Sequence, residues 1–288
     1  MADSVHIVRT RLTVGLPAPV RVIHISDPHL TIVSERDNER KHRLCEARKG
    51  AFPLQSAVLQ TAKEISFREH IPIICTGDLI DFVSDGNLAA AKRFMRETDT
   101  LFVAGNHEFS QYVGEAKEDA AYREQSLPEV EAAFGGDVRF VSRLIGGVNF
   151  VGIDDGYYQF DAWQSERLRE EIAKGYPVVL LLHVPLFEEA LFRRVMYRGE
   201  RYETGTPCAG SADLVGVGRE WMKDYSASKR EAQLPTAVTK ETLELIESCG
   251  RIAAILTGHW HFDHIAKTAR GIPQVITGCE TVRIVEFF

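Results

Sequence analysis

Residues that can bind metal ions occur in five short groups along this sequence. Asp and Asn supply hard oxygen atoms and His supplies nitrogen, a mixture that suits Mn, Fe or Zn better than Ca or a thiolate-bound ion. Together they offer enough ligands for two ions that share one carboxylate, an arrangement suited to displacement at phosphorus. In chain order the groups are Asp27-Pro28-His29, Gly77-Asp78-Leu79-Ile80-Asp81, Gly105-Asn106-His107-Glu108, the single His183, and Gly258-His259-Trp260-His261.

No single group is convincing on its own. Asp27-Pro28-His29 and Gly77-Asp78 are common in turns, and His183 alone would normally be interpreted as a histidine that caps a strand. His259 and His261 form the best single pair, because alternate residues at a strand end point the same way. The fixed order of the five groups carries the prediction.

The charge of such a site favours an anionic substrate. Two divalent ions bring four positive charges, whereas Asp27 and Asp78 return only two negative ones. The residual positive charge would attract phosphate and lower the pKa of a bridging water.

Each group follows an apolar run that is typical of a β-strand, and helical patterns alternate with these runs. This alternation predicts a mostly parallel sheet covered on both faces. Ligands of parallel sheets bind beyond the carboxyl ends of the strands, so five distant loops can meet at one edge. The predicted strands that lead into the groups are 21–26, 71–76, 100–104, 177–182 and 252–256, and the predicted helices are 51–69, 87–97, 163–174 and 238–248.

Two stretches fit this alternation poorly. Residues 34–50 are rich in charge, and residues 186–235 are long and contain several glycines and prolines. Long excursions between core elements often act as lids or binding loops. We therefore expect one domain over residues 1–288, with the insertion 186–235 as a candidate cap or substrate loop.

Bulk composition disfavours several classes of partner. The net charge of -7 argues against a nucleic-acid or anionic-membrane surface. The five cysteines are scattered and odd in number, which predicts reduced thiols in the cytoplasm. The sequence contains no membrane-spanning run, and its start has no apolar signal region. A cytoplasmic protein is expected, and the oligomeric state is not determined by the sequence.

The order DxH, GDxxD, GNHE, H and GHxH resembles the calcineurin-like metallophosphoesterase superfamily, over most of the chain from Asp27 to His261. The resemblance implies an α/β fold, a four-layer α/β/β/α sandwich with mixed sheets. It implies two divalent or trivalent transition-metal ions, Mn, Fe or Zn. One ion would bind Asp27, His29, His261 and the bridging Asp78, and the other would bind Asp78, Asn106, His183 and His259.

The same resemblance assigns the catalytic roles. His107 would be a catalytic histidine that is not a ligand and that protonates the leaving oxygen, and Asp81 would orient His107. A metal-bridging hydroxide would attack phosphorus in line. The substrate would be a small phosphoester, with nucleotides among the candidates and a diester favoured over a monoester.

Departures from known patterns narrow the choice of subfamily. Phe82-Val83-Ser84 follows Asp81, where Ser/Thr protein phosphatases carry Arg-Gly, and Asp81 is not the Tyr ligand of purple acid phosphatases. Residues 151–168 look more like the bacterial phosphodiesterase branch that includes class III cyclic-nucleotide phosphodiesterases. The alternatives are a metal-binding scaffold of the same fold without catalysis, and a nuclease.

Several other residues are weaker candidates. His24 is interpreted as a core histidine, His264 as part of a later strand, and Trp260 as a wall of the site. Tyr157 and Tyr158 could line a pocket. Arginines that could grip phosphate, but that more simply form a solvated face, are Arg36, Arg40, Arg43, Arg193, Arg194, Arg198 and Arg201.

Overall fold

Two mixed β-sheets form the centre of the fold. The computed structural model describes residues 4–109, 120–197 and 211–288. The first sheet has the order β1-β11-β2-β3-β4, with β1 (His6–Leu12), β2 (Val20–Ile25), β3 (Ile73–Cys75), β4 (Thr100–Phe102) and β11 (Thr281–Phe287). The second has the order β5-β6-β7-β8-β10-β9, with β5 (Phe140–Ile145), β6 (Val148–Ile153), β7 (Val178–Leu181), β8 (Ile252–Thr257), β9 (His264–Lys267) and β10 (Pro273–Ile276).

Each sheet has a parallel centre. Strands β2, β3 and β4 are parallel in the first sheet, and β6, β7, β8 and β10 are parallel in the second. Antiparallel pairs complete both sheets, β11 with β2, β5 with β6 and β9 with β10. The strand–helix alternation alone predicted one sheet. The expected number of sheets is wrong, because the structure has two sheets whose apolar faces cover each other.

Eight α-helices surround the sheets in the part of the chain that the structure describes, and local sequence signals start several of them. Ser84 accepts a hydrogen bond from the Asn87 backbone at the start of α3, and Asp161 and Gln164 form a capping box at the start of α5. The helices are α1 (Glu39–Arg48), α2 (Gln55–Glu69), α3 (Asp85–Glu97), α4 (Ala120–Phe134), α5 (Ala162–Ala173), α6 (Glu189–Tyr197), α7 (Ala227–Gln233) and α8 (Ala237–Ser248).

Three apolar clusters define four layers. Helices α2, α3 and α4 pack on the outer face of the first sheet, and α5 and α8 pack on the outer face of the second. The third cluster lies between the sheets, and its members include Ile74, Phe150, Leu181, Leu256 and Phe287. The α/β/β/α sandwich with mixed sheets is therefore confirmed.

The two irregular stretches contain helices. Residues 34–50 carry α1, and the described parts of 186–235 carry α6, a short 3-10 helix (Arg219–Trp221) and α7. A fourth apolar cluster joins this insertion to the last ligand loop, because it includes Phe192, Leu214, Met222 and Trp260. Arg198, Arg201 and Cys208 lie outside the described residues.

None of the helices that the structure describes is both long and apolar enough to cross a lipid bilayer.

Candidate metal centre

All five predicted groups lie where the carboxyl ends of β2, β3, β4, β7 and β8 meet. Backbone hydrogen bonds tie the loops together, from Asp27 N to Gly77 O at 3.1 Å and from Gly258 N to His183 O at 3.0 Å. The two sheets are joined directly by His259 N, which donates to Asp27 Oδ2 at 2.8 Å. The structure therefore brings all seven predicted ligands into one site.

One set of donor atoms comes from Asp27, His29 and His261. The two imidazole Nε2 atoms are 3.0 Å apart. Asp27 Oδ1 lies 3.4 Å from His261 Nε2 and 3.7 Å from His29 Nε2. All three side chains are buried, so their donor atoms converge on a point away from bulk water.

A second set surrounds His183. Its Nε2 lies 3.2 Å from Asp78 Oδ2, 3.2 Å from Asn106 Oδ1 and 3.2 Å from His259 Nδ1. This set contains one carboxylate, one amide oxygen and two imidazoles, which are the ligand types predicted for the second ion.

Asp78 lies between the two sets. Its Oδ2 is 3.2 Å from His183 Nε2 and 3.6 Å from His29 Nε2. Its Oδ1 accepts a hydrogen bond from the backbone N–H of His107 at 2.9 Å, which fixes the orientation of the carboxylate. The geometry therefore matches the predicted role of Asp78 as the ligand that both ions share.

Hydrogen bonds on the far side of two imidazoles set their orientation. His183 Nδ1 donates to the backbone carbonyl of Thr76 at 2.7 Å, and His29 Nδ1 donates to Asp81 Oδ1 at 3.0 Å. Because a carbonyl can only accept, the hydrogen of His183 is on Nδ1 and Nε2 is turned into the site. This pattern is typical of histidines that bind metals.

The donor set fits transition-metal ions. Among the described residues, Asp27 Oδ1 is buried and has no neighbour in hydrogen-bonding geometry. A buried carboxylate oxygen without such a partner is costly unless an ion compensates it. Carboxylate, amide and imidazole donors together suit Mn, Fe or Zn.

The electrostatics of the site also call for positive charge. Burial alone disfavours protonated His183, but the carboxylates of Asp78 and Asp27 outweigh it and raise its pKa to about 10. Burial likewise opposes the charge on His29, yet the nearby carboxylates of Asp27 and Asp81 raise its pKa to about 9. The carboxylates of Asp27 and Asp78 thus favour the protonated form of the neighbouring histidines, at the place where cations would be held.

The last ligand loop behaves differently. Burial, reinforced by the charge of His183, lowers the pKa of His259 to about 3. Burial also lowers the pKa of His261. Both imidazoles are therefore neutral, which is the form that can donate a lone pair to a metal.

His107 lies at the edge of the site and is partly exposed. Its Nδ1 donates to the backbone carbonyl of Asp81 at 2.8 Å and lies 3.3 Å from Asp81 Oδ1. Its Nε2 faces the site, 3.9 Å from Asp78 Oδ2. The Asp81 carboxylate has a second contact, with His29, and its pKa lies well below the usual range because hydrogen bonds from His107, His29 and Arg48 overcome its burial.

Five of the seven candidate ligands have a left-handed backbone. This region costs an ordinary residue about 1–2 kcal/mol, although Asp and His adopt it more readily than most. Such strain persists when surrounding structure enforces it, and it clusters at functional sites. The residues are Asp27, His29, Asp78, His259 and His261, with φ of 58°, 50°, 52°, 68° and 59°.

Gly258 provides the close approach between the last ligand loop and Asp27. A Cβ at this position would overlap Ser26 Oγ and Asp27 Oδ2. We expect Gly258→Ala to lower the free energy of unfolding by about 1–3 kcal/mol through overpacking and to weaken Mn²⁺ binding by displacing Asp27. Thermal unfolding and calorimetric Mn²⁺ titration measure the two effects. If Gly258→Ala bound Mn²⁺ with wild-type affinity, the observed position of Asp27 would not be required for metal binding.

Two buried carboxyl groups without a predicted role brace the ligand loops. Glu108 accepts hydrogen bonds from Asp78 N at 2.9 Å and Gly105 N at 2.7 Å, and Asp155 accepts from His183 N at 2.9 Å. Burial raises the pKa of each group to about 7. Glu108 lies inside the third sequence group, so its position was a usable signal, whereas Asp155 lies in the stretch 151–168, which suggested a subfamily and no role for Asp155.

Most of the weaker candidates do not join the site. His24 is a core histidine between Thr76 and Thr277, with a pKa lowered to about 3 by burial. His264 is on β9 and contacts Arg194. Surface ion pairs or ring contacts engage Arg36, Arg43, Arg193 and Arg194.

Two aromatic residues form walls beside the site. Trp260 is buried in the cluster that joins the insertion to the ligand loop. The ring centroid of Tyr158 lies 6.1 Å from that of His259. Tyr157 donates to the Phe109 carbonyl at 3.3 Å.

Comparisons with known proteins find similarity in both sequence and fold. A sequence model of the calcineurin-like phosphoesterase family matches residues 20–263. Purple acid phosphatase from yellow lupin seeds is similar in structure, with a TM-score of 0.51 and 13% identity over 91% of this chain and 44% of that chain. A dimetal phosphatase from Danio rerio has a TM-score of 0.49 and 13% identity over 91% of this chain and 88% of that chain. At this identity the likeness concerns the fold, and no curated protein matches the sequence.

Proposed function

Because the chain belongs to the calcineurin-like phosphoesterase family, we propose that it hydrolyses phosphoesters at a centre of two transition-metal ions. The observation that supports this most directly is the position of Asp78 Oδ2, between His183 Nε2 at 3.2 Å and His29 Nε2 at 3.6 Å. One carboxylate oxygen thus serves two sets of buried donor atoms. That arrangement is what a pair of adjacent cations requires.

The proposed division of the ligands is the one that the family resemblance implies. Asp27, His29 and His261 would hold one ion, and Asn106, His183 and His259 would hold the other, with Asp78 shared. When bound, the two cations withdraw charge from the phosphoryl oxygens and acidify water at the site. We favour Mn, Fe or Zn because the donors mix oxygen with imidazole nitrogen.

His107 is the proposed general acid. Its Nδ1 donates to the Asp81 carbonyl at 2.8 Å, which turns Nε2 toward the site. A proton on Nε2 can pass to the leaving oxygen as the bond to phosphorus breaks. Asp81 is proposed to orient this ring through its carbonyl and its carboxylate.

A phosphodiester is the first substrate class to test. A diester carries one negative charge at phosphorus, whereas a monoester dianion carries two. The guanidinium of Arg48 contacts the site, but it is directed at Asp81 and so does not point toward a substrate phosphate. Of the similar structures, those named above are phosphatases, so monoesters belong in the same assay. The insertion 186–235 is proposed as the segment that selects the group attached to phosphate.

The proposal is tested by removing and restoring metal. Protein stripped with a chelator should be inactive toward bis-p-nitrophenyl phosphate, p-nitrophenyl phosphate and a panel of nucleotides that includes cyclic ones. Addition of Mn²⁺ should restore turnover on at least one compound, with two ions bound per chain by calorimetry. Two bound ions with no turnover across the panel would instead indicate a binding scaffold, and salt-sensitive cleavage of DNA or RNA would indicate a nuclease.

A cytoplasmic location and a single domain over residues 1–288 stay predictions from the sequence.

A further inference from the structure

Arg48 is the last residue of α1, in the charged stretch 34–50, and the sequence assigned no role to Arg48 itself. Its Nε lies 2.7 Å from Asp81 Oδ2 and its Nη2 lies 2.9 Å from Asp81 Oδ1. This two-pronged contact fixes the plane of a carboxylate more firmly than a single hydrogen bond does. The Arg48 side chain is only 18% exposed, and that of Asp81 is fully buried.

The carboxylate that Arg48 holds is the one that orients a metal ligand. Asp81 Oδ1 accepts the hydrogen of His29 Nδ1 at 3.0 Å, which leaves His29 Nε2 turned toward Asp27 and Asp78. A buried carboxylate that lost Arg48 would keep its charge without its two-pronged partner, and it could relieve this by rotating away from His29. The plane of His29 therefore depends on Arg48.

Phe52 fixes the same imidazole from its face. The ring centroids of Phe52 and His29 are 4.0 Å apart, and the planes are inclined by 13°. Arg48 Cζ lies 5.0 Å from the Phe52 ring centroid, so the guanidinium also contacts this ring. Asp81, Arg48 and Phe52 thus hold both the edge and the face of the His29 ring.

Other basic residues of α1 do not share this role. Arg43 pairs with Glu39 on the same helix, and its side chain is 66% exposed. Such an exposed pair contributes little to stability. Arg43 is therefore a matched control, because it has the same residue type on the same helix and makes no contact with the metal ligands among the described residues.

We propose that Arg48 and Phe52 form a clamp that positions His29 and thereby sets the affinity of the metal position built from Asp27, His29 and His261. The clamp rests on the proposed function, since it acts on one of its two metal positions. Both are positioning residues, because neither reaches the reacting atoms.

The test compares Arg48→Met, Arg48→Lys, Phe52→Leu and the control Arg43→Met. Calorimetric titration of metal-free protein with Mn²⁺ measures each binding constant, and electron paramagnetic resonance reports whether two Mn²⁺ ions are spin-coupled. Arg48→Met and Phe52→Leu should each weaken one of the two binding constants by about 10- to 100-fold and reduce the coupled signal at limiting Mn²⁺. Lysine keeps the charge but loses the two-pronged geometry, so Arg48→Lys should recover only part of the affinity. Arg43→Met should match wild type.

Two results would overturn the clamp while the proposed function stands. The first is that Arg48→Met binds both Mn²⁺ ions with wild-type affinity. The second is that the loss of Mn²⁺ affinity among the variants is proportional to the loss in melting temperature of the metal-free proteins, and that Arg48→Lys recovers none of the affinity. Wild-type protein that binds no Mn²⁺ would overturn the clamp and the proposed function together.

Discussion

Asp78→Asn should abolish both metal binding and phosphoester hydrolysis. The substitution keeps the shape of the side chain, and Asn tolerates the left-handed backbone, with φ of 52° at this position. It also keeps an oxygen that can accept the hydrogen bond from His107 N. What it removes is the one negative charge that lies between the two sets of donor atoms.

The size of the effect follows from burial. Removal of one partner from a buried ionic contact costs about 3–5 kcal/mol, which corresponds to roughly 10²- to 10⁴-fold in affinity. Both ions lose a ligand in this variant, so turnover should fall below detection at micromolar Mn²⁺.

Calorimetric Mn²⁺ titration and hydrolysis of p-nitrophenyl esters measure the outcome. Glu171→Gln is a matched control, because this carboxylate is also largely buried but contacts Asn149, at the amino end of β6 and away from the ligand loops. The control should bind two ions and keep its turnover. If Asp78→Asn binds two Mn²⁺ ions with wild-type affinity, Asp78 is not the shared ligand.

His107→Asn should retain both metal ions and lose most of the turnover. The amide N–H₂ of Asn can replace His107 Nδ1 as the donor to the Asp81 carbonyl, which His107 contacts at 2.8 Å. No atom of Asn can replace Nε2 as a proton donor. The expected loss in kcat is about 10²- to 10⁴-fold, the usual range for a general acid.

The choice of leaving group separates acid catalysis from a general disturbance of the site. A p-nitrophenolate leaving group needs little protonation, whereas an alkoxide needs it strongly. The loss in kcat should therefore be larger for an alkyl phosphoester than for a p-nitrophenyl ester. An equal loss on both substrates would remove the proton-donor role from His107, even if the variant is slow.

The control for this variant is His264→Asn. His264 is on β9, where it contacts Arg194, and it is not one of the proposed ligands, so its replacement should leave turnover unchanged. Mn²⁺ stoichiometry measured on both variants shows whether the metal centre is intact.

Much of the site was predictable because the candidate ligands occur in short sequence motifs. Asp27, His29 and Asp78 each follow an apolar run, and chain geometry alone places such residues just past a strand end. The family resemblance then implied which residues would share an ion. The four-layer architecture was available only through the family resemblance, because the strand–helix alternation by itself suggested one sheet.

Long-range pairing was not predictable from local pattern. Strand β1 pairs in parallel with β11, at the opposite end of the chain, and Trp260 packs against residues of the insertion. The apolar face of a strand indicates that another element will pack on it, but it does not indicate which element. The packing partner depends on the combined shape of all elements.

The kind of chemistry follows from the residues alone, through the donor types, their order and the loops that carry them. The orientation of those donors follows only from the folded chain. Arg48 lies in the charged stretch 34–50, Phe52 lies in the predicted helix 51–69, and Asp81 is 33 residues beyond Arg48. Ligand identity is a property of single residues, whereas orientation depends on neighbours that distant parts of the chain supply.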